Sequence, residues 1–276
     1  MFEPNRDDTQ YVLNISYGKD SLACLGACKL LGWRIDRIIH AEVWATDTIP
    51  ADLPPMTEFK KKADKIIKEH FGITVEHVYA TIGSEKMTYE KMFYHTRTKG
   101  YRKGEIAGFP FHGAPECNAA LKRPALQKAE SITEESKTVS FVGIAADEKD
   151  RLLRLDNERK VSPLAAIGWT EADCMKWCVE NDLRSPLYDD MSRGGCWFCH
   201  NQTVEQLRQL RHKYPDLWKI FLKWDKDSPV TFKSNGLTLH DYDNRFELED
   251  KNMIPVDKRF RWNKLKELIK ELIKHE

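Results

Sequence analysis

Residues 10–32 read QYVLNISYGKDSLACLGACKLLG, and the fold follows from this stretch. A short apolar run ends in a polar turn containing Gly18, after which Leu22, Leu25, Cys28 and Leu31 recur at helical spacing. That is a strand, a loop and a helix. A second cycle follows: an apolar run over 35–44, a loop through Asp47 and Pro50, and a lysine-rich helix over 54–70 that Gly72 ends. Further β-branched runs at 73–80 and 138–144 read as strands. Strands alternating with helices predict an α/β fold, a doubly wound and mostly parallel sheet with ligand loops at the strand C-termini.

Downstream the texture changes. Residues 87–115, rich in Gly, Tyr, Lys and Arg, read as loops flanking a site rather than as core. After Pro163, Thr170 caps a helix, TEADCMKWCVEND, followed by a turn-rich segment, the pair Cys196 and Cys199, and two or three more helices. The predicted organisation is a nucleotide-binding α/β domain over 1–165 and a helical, cysteine-containing subdomain over 166–276, with Trp197, Trp218 and Trp224 in the subdomain core. The last stretch, RWNKLKELIKELIKHE, is an amphipathic helix. Its polar face carries both charge signs, so it suits packing on the domain, a second copy or a complex partner better than a membrane.

The 276 residues are 41% hydrophobic with 14 Gly and 12 Pro, enough for one large core or two modest ones, which excludes disordered, collagen-like and coiled-coil classes. Lys and Arg number 44 against 43 Asp and Glu, so any polyanion site is local. The polar start MFEPNRDDTQ has no secretory pattern and no apolar run is long enough to span a bilayer, which predicts a soluble, cytoplasmic protein. Seven cysteines in such a chain point to thiols, metal ligands or catalytic groups rather than a disulfide framework.

The loop Ser16-Tyr17-Gly18-Lys19-Asp20-Ser21 lies between a strand and a helix, where backbone N–H groups and the helix dipole favour an anion. Gly18 permits close approach, Ser16 and Ser21 supply hydroxyls, Lys19 supplies charge, and Asp20 suits the magnesium that a nucleotide brings. No G-x-x-x-x-G-K-[ST] occurs, so this is not a Walker loop.

Residues 16–21 resemble the S-G-G-x-D-S signature of the PP-loop ATP pyrophosphatases, in the adenine nucleotide alpha-hydrolase-like fold, with Tyr17 in place of the first glycine. Asp47-Thr48, CNAALKRP at 117–124 and GIAADEKDR at 143–151 resemble segments of the phosphoadenosine phosphosulfate (PAPS) reductase branch, with Ala145 replacing an arginine. SPLYDDMSRGGCWFCHN at 185–201 resembles the signature of PAPS reductase-like proteins that include the DNA phosphorothioation ATPase. The resemblance spans about residues 12–225. It implies an ATP-binding site that includes Asp47 and Thr48, and phosphate or sulfate clamps at Lys122 and Arg151, with Arg154 a further candidate. Asp147 and Glu148 are candidates to bind magnesium or orient Arg151.

Cys196 and Cys199 form a C-x-x-C pair in a Gly-rich turn, a spacing that lets two thiolates face one metal. Cys117, followed by Lys122 and Arg123, is the third candidate ligand, and Cys178 and His200 are candidates for a fourth. Such ligands suit an iron–sulfur cluster or zinc, and the resemblance favours [4Fe–4S]. Cys24 and Cys28 read as core residues. Between Tyr89 and Arg102, interleaved aromatic and basic residues suit either a nucleic-acid stacking surface or a lid over the nucleotide.

Together these features predict an enzyme that cleaves ATP to AMP and pyrophosphate with Lys19, Asp20, Lys122 and Arg151 as its catalytic groups, adenylating a substrate for cluster-assisted sulfur transfer from a donor protein. A phosphoadenylyl-sulfate or adenylyl-sulfate reductase is the alternative, but those enzymes depend on a cysteine near the C-terminus and none follows Cys199. A non-catalytic nucleotide-binding subunit of a defence or DNA-modification complex is the third reading.

Overall fold

The computed structural model describes residues 4–110, 116–130, 137–155, 159–189, 194–256 and 261–262. The expected C-terminal amphipathic helix lies almost wholly outside them. Among the described residues, no helix is long and apolar enough to cross a membrane.

The chain forms two compact units, residues 1–95 with 114–198, and residues 96–113 with 199–276. The first is α/β. It runs β1 (Thr9–Asn14), α1 (Lys19–Leu31), β2 (Arg37–Glu42), α2 (Pro54–Phe71) and β3 (Val75–Tyr79), then a small hairpin of β4 (Thr81–Ile82) and β5 (Glu85–Lys86) and the short α3 (Tyr89–Phe93). A π-helical turn at Asn118–Lys122 leads into α4 (Arg123–Ala129), β6 (Lys137–Phe141), α5 (Lys149–Leu152), β7 (Lys160–Val161), α6 (Pro163–Ile167) and α7 (Glu171–Glu180). The five-stranded sheet has the order β3-β2-β1-β6-β7, and every neighbouring pair is parallel. Helices flank it, as the alternating pattern predicts.

Local sequence explains these elements. In β1, Tyr11, Val12 and Leu13 are all buried, a continuous apolar run that suits a central strand covered on both faces. In α2, Met56, Phe59, Ala63 and Ile67 make one buried stripe on an otherwise lysine-rich helix. Gly32 and Gly72 end α1 and α2 in the left-handed conformation, which a Cβ would disfavour.

The predicted boundary at 165/166 does not coincide with the division into units. Helix α7 belongs to the first unit because it packs on α1: a Cβ at Gly26 would lie 2.3 Å from the Trp177 indole nitrogen, so the indole sits directly on the α1 backbone. Trp197 also belongs to the first unit, donating its indole N–H to the Pro50 carbonyl at 3.0 Å. The expectation that residues 87–115 lie outside the core is corrected too. Tyr89, Met92 and Phe93 are buried, and Tyr89 stacks on Phe198 with ring centroids 4.1 Å apart.

The second unit contains α8 (Val204–Lys213), α9 (Pro215–Asp227) and α10 (Leu239–Asp250). Phe109 enters its core edge-on to Phe221 and Phe232, with Trp218 and Trp224 also buried. Thr203 and Thr238 head α8 and α10 with reciprocal capping boxes.

Candidate functional site

The order of the sheet decides where a ligand can bind. The chain passes from β1 to β2 on one side, while β6 pairs with the other side of β1, the topology at which open α/β sheets place a ligand crevice beyond the strand C-termini. One observation brings the loops after β1 and β6 together. Gly143 follows β6, and a Cβ built on it would lie 2.5 Å from the Ser21 nitrogen and 2.6 Å from the Asp20 carbonyl carbon. Only a residue without a side chain lets the β6 loop lie against the first turn of α1.

The 16–21 loop is braced from within. The Ser21 hydroxyl donates to the Gly18 carbonyl at 2.9 Å and accepts the Ser16 N–H at 3.0 Å, with the Ser16 hydroxyl 3.2 Å away. Ser21 is thus an internal strut, and Ser16 is the more available hydroxyl. Gly18 occupies the N-cap position of α1 without a side-chain hydrogen bond, leaving the positive end of a 13-residue helix to meet an anion. The Lys19 N–H donates to the Tyr188 hydroxyl at 3.2 Å. Tyr17 adopts φ 58°, a left-handed conformation that costs a residue with a Cβ about 1–2 kcal/mol.

Charge gathers around Lys19. Its ammonium contacts Asp20 at 2.7 Å and Glu171 at 2.9 Å. Burial opposes its charged form, but the hydrogen bonds to Asp20 and Glu171 outweigh burial and raise its pKa. Burial, against the pull of Lys19, raises the pKa of Asp20. Asp147 accepts the Glu171 N–H at 3.2 Å, tying the β6 loop to the start of α7. Glu148 accepts the Ala145 N–H at 3.1 Å and pairs with Arg151. The segment 143–151, the 16–21 loop and the start of α7 therefore form one polar cluster, which unites Lys19, Asp20, Asp147, Glu148 and Arg151.

Other candidates stand apart from this cluster. Asp47 and Thr48 lie in the exposed loop after β2, where the Asp47 carboxylate accepts from Lys91 at 3.0 Å. Lys122 is exposed on the π-helical turn, and no contact among the described residues ties it to the 16–21 loop. Arg154 is exposed. Tyr101 is 93% exposed, whereas Tyr89 and Phe93 are buried and Arg102 donates to the Ile106 carbonyl at 2.9 Å, so Tyr89 and Phe93 offer no free stacking face.

Of the seven cysteines, Cys24, Cys28, Cys174 and Cys178 are buried. Burial raises all four thiols, those of Cys28, Cys174 and Cys178 to about 12, as in small apolar residues. Cys178 donates its thiol to the Lys19 carbonyl at 3.3 Å. Cys117 and Cys196 belong to the first unit, and Cys199 and His200 to the second. Among the described residues, no group of three or more His, Cys, Asp or Glu side chains is arranged to hold a metal ion.

A scan against protein-family models gives no match, and neither does a search of curated proteins. Tyr188 and Glu171 touch Lys19 without a role assigned from sequence, although Tyr188 belongs to the S-P-L-Y segment and Glu171 opens a helix after a threonine cap. Their contacts with Lys19 span 169 and 152 residues of chain, beyond any local pattern.

Proposed function

We propose that the chain is a PP-loop ATP pyrophosphatase-type enzyme of the PAPS reductase-like branch, which activates a substrate by adenylation. The terminal phosphates of ATP lie against residues 16–21, and a substrate oxygen attacks the α-phosphorus in line with the departing pyrophosphate. One P–O bond forms, the bond between the α-phosphorus and the bridging oxygen breaks, and pyrophosphate leaves into the loop. Lys19 and the first-turn N–H groups of α1 stabilise the charge that develops on it. Lys19 exchanges its contact with Glu171 for phosphate oxygens as ATP enters. Magnesium arriving with ATP screens the phosphate charge, with Asp20, Asp147 and Glu148 as its candidate protein ligands and the phosphates supplying the others. Arg151 and Lys122 are the candidate clamps on the remaining oxygens.

The observation that supports this reading is the close approach of Gly143 to the Asp20–Ser21 backbone, which sets the N-terminal end of α1 beside the acidic β6 loop. A sulfur nucleophile displacing AMP from the adenylated substrate completes the proposal. Adenylation itself needs no cluster, and the described residues include no group of three or more His, Cys, Asp or Glu side chains arranged to hold a metal. The test is to incubate the protein with magnesium, radiolabelled ATP and a panel of acceptors, including tRNA and DNA, and to quantify AMP and pyrophosphate. Equal amounts of both, abolished by Lys19→Met, are expected. Formation of ADP and phosphate, or PAPS reduction without ATP, would replace this assignment.

A further inference from the structure

The buried side of the 16–21 loop carries a polar network that nucleotide binding does not itself require. The Tyr17 ring is 1% exposed. Its hydroxyl donates to Asp64 on α2 and lies 3.2 Å from His77 Nε2 on β3. His77 spans two carboxylates, with Nε2 2.9 Å from Asp64 Oδ2 and Nδ1 3.0 Å from Glu42 Oε1 on β2. With both ring nitrogens facing acceptors, His77 is an imidazolium, and the hydrogen bonds to Asp64 and then Glu42 raise its pKa to about 9.

A second histidine, itself 5.5 Å from the His77 ring, also holds the Tyr17 ring. His40 meets it edge-on at 4.8 Å between centroids. The His40 Nδ1–H donates to the Ile15 carbonyl at 2.9 Å, and its Nε2 accepts from the Lys60 ammonium at 2.8 Å. Burial, then Lys60, lowers His40 to about 4, consistent with a neutral ring that accepts at Nε2. Side chains from α2, β2 and β3 thus grip the loop at Ile15 and at Tyr17.

A left-handed tyrosine persists only where its surroundings over-determine it, and such outliers cluster at functional sites. Glycine would adopt φ 58° without support. Tyrosine needs a strut, and the network supplies one behind the loop.

We propose that Asp64 and His77 are positioning residues for the phosphate loop, acting through Tyr17 to hold the backbone of residues 18–21 in its anion-binding arrangement. This rests on the phosphate-loop assignment above. The network does not touch phosphate; its effect is on how much of the ordering cost is met before ATP arrives.

The test combines ATP–magnesium binding by calorimetry with amide hydrogen exchange of residues 15–22 in the ligand-free protein. Tyr17→Phe keeps the ring and removes the hydroxyl, and His77→Gln removes the charge. Each is expected to weaken ATP binding about tenfold, as for a lost hydrogen bond to a charged group, and to speed exchange in the loop. The two changes are expected to be strongly non-additive. His77→Gln is expected to have no further effect on ATP binding or loop exchange in a Tyr17→Gly background, a coupling that general destabilisation does not produce.

Wild-type affinity and unchanged loop exchange in both variants would overturn the proposal. So would an equal effect of His77→Gln with tyrosine or glycine at position 17. If the wild type binds no ATP while the variants still lose loop protection and the coupling holds, the strut stands and the nucleotide assignment falls.

Discussion

Replacing Gly143 with alanine tests the crevice directly. Ordinary van der Waals contact begins at 3.4 Å, and the added methyl carbon would sit 2.5 Å from the Ser21 nitrogen, 0.9 Å too close, with the Asp20 carbonyl carbon and the Ser21 Cα at 2.6 and 2.8 Å. All three are backbone atoms in a braced helix turn, so no flexible side chain can move aside. The β6 loop and α1 must therefore separate by most of an ångström. Overpacking of this kind costs about 1–3 kcal/mol, and rigid neighbours place Gly143→Ala near the upper end. For a domain of this size, about 3 kcal/mol corresponds to a Tm lowered by roughly 6–12 °C. A displacement of about 1 Å at the reacting groups costs on the order of 100-fold in turnover. Thermal unfolding by circular dichroism measures the first effect and pyrophosphate release the second. Gly194→Ala is the control, because among the described residues its Cβ would meet only Leu187 Cδ1, at 3.9 Å. If Gly143→Ala unfolds and turns over like the wild type, the two loops are not in contact and the crevice is wrongly drawn.

Three other outcomes are expected. Gly18→Ala should fold normally, since its Cβ meets Ser16 Oγ at 3.5 Å and the Tyr188 hydroxyl at 3.7 Å, but, on the proposed phosphate site, should lose about tenfold or more in ATP affinity because the methyl would stand in the way of phosphate; calorimetry beside a melting curve separates the two effects. Thermal stability should peak near pH 6.5 as far as the His77 and His40 contributions go. His77, raised to about 9 and facing Asp64, Glu42, Tyr17 and His40, contributes fully below about 6.5 and loses its contribution as pH climbs through 9. His40, lowered to about 4 beside Lys60, binds its proton more readily unfolded, so its contribution falls as pH drops from about 6.5 towards 4. Melting curves from pH 4 to 10 should therefore lose their alkaline limb in His77→Gln, and an unaltered limb would contradict the His77 assignment. Anaerobically purified protein and Cys117→Ala, analysed for iron, zinc and acid-labile sulfide, test the cysteines: no bound iron is expected, since no described group of three ligands is arranged to hold a metal, and about four irons with a broad band near 400 nm, lost in the variant, would instead support a [4Fe–4S] cluster.

The alternation of strands and helices was legible because its signals are local. The continuous apolar run of β1, the stripe on α2, the stops at Gly32 and Gly72 and the threonine cap at Thr170 each depend on residues a few positions apart. The strand-turn-helix position of residues 16–21 was legible for the same reason. Helix α3 was missed because five residues make little more than one turn, too few to show a period among the lysines and tyrosines around them. The division into units was missed because α7 is docked by Trp177 on Gly26, a fit of shapes that leaves no periodic trace.

By itself the sequence determined an α/β alternation and the place of residues 16–21 as the turn between β1 and α1. Strand order, and with it the partners of that loop, was decided only by tertiary structure. The pairing of β6 beside β1 brings Gly143 onto Ser21, and the docking of α7 brings Glu171 to Lys19. The docking of α2 and β3 places Asp64 and His77 behind Tyr17. Chain segments far apart in sequence meet only when the whole core closes, because burial is non-directional and rewards any packing that excludes water. Which polar groups then face one another depends on how the sheet is wound.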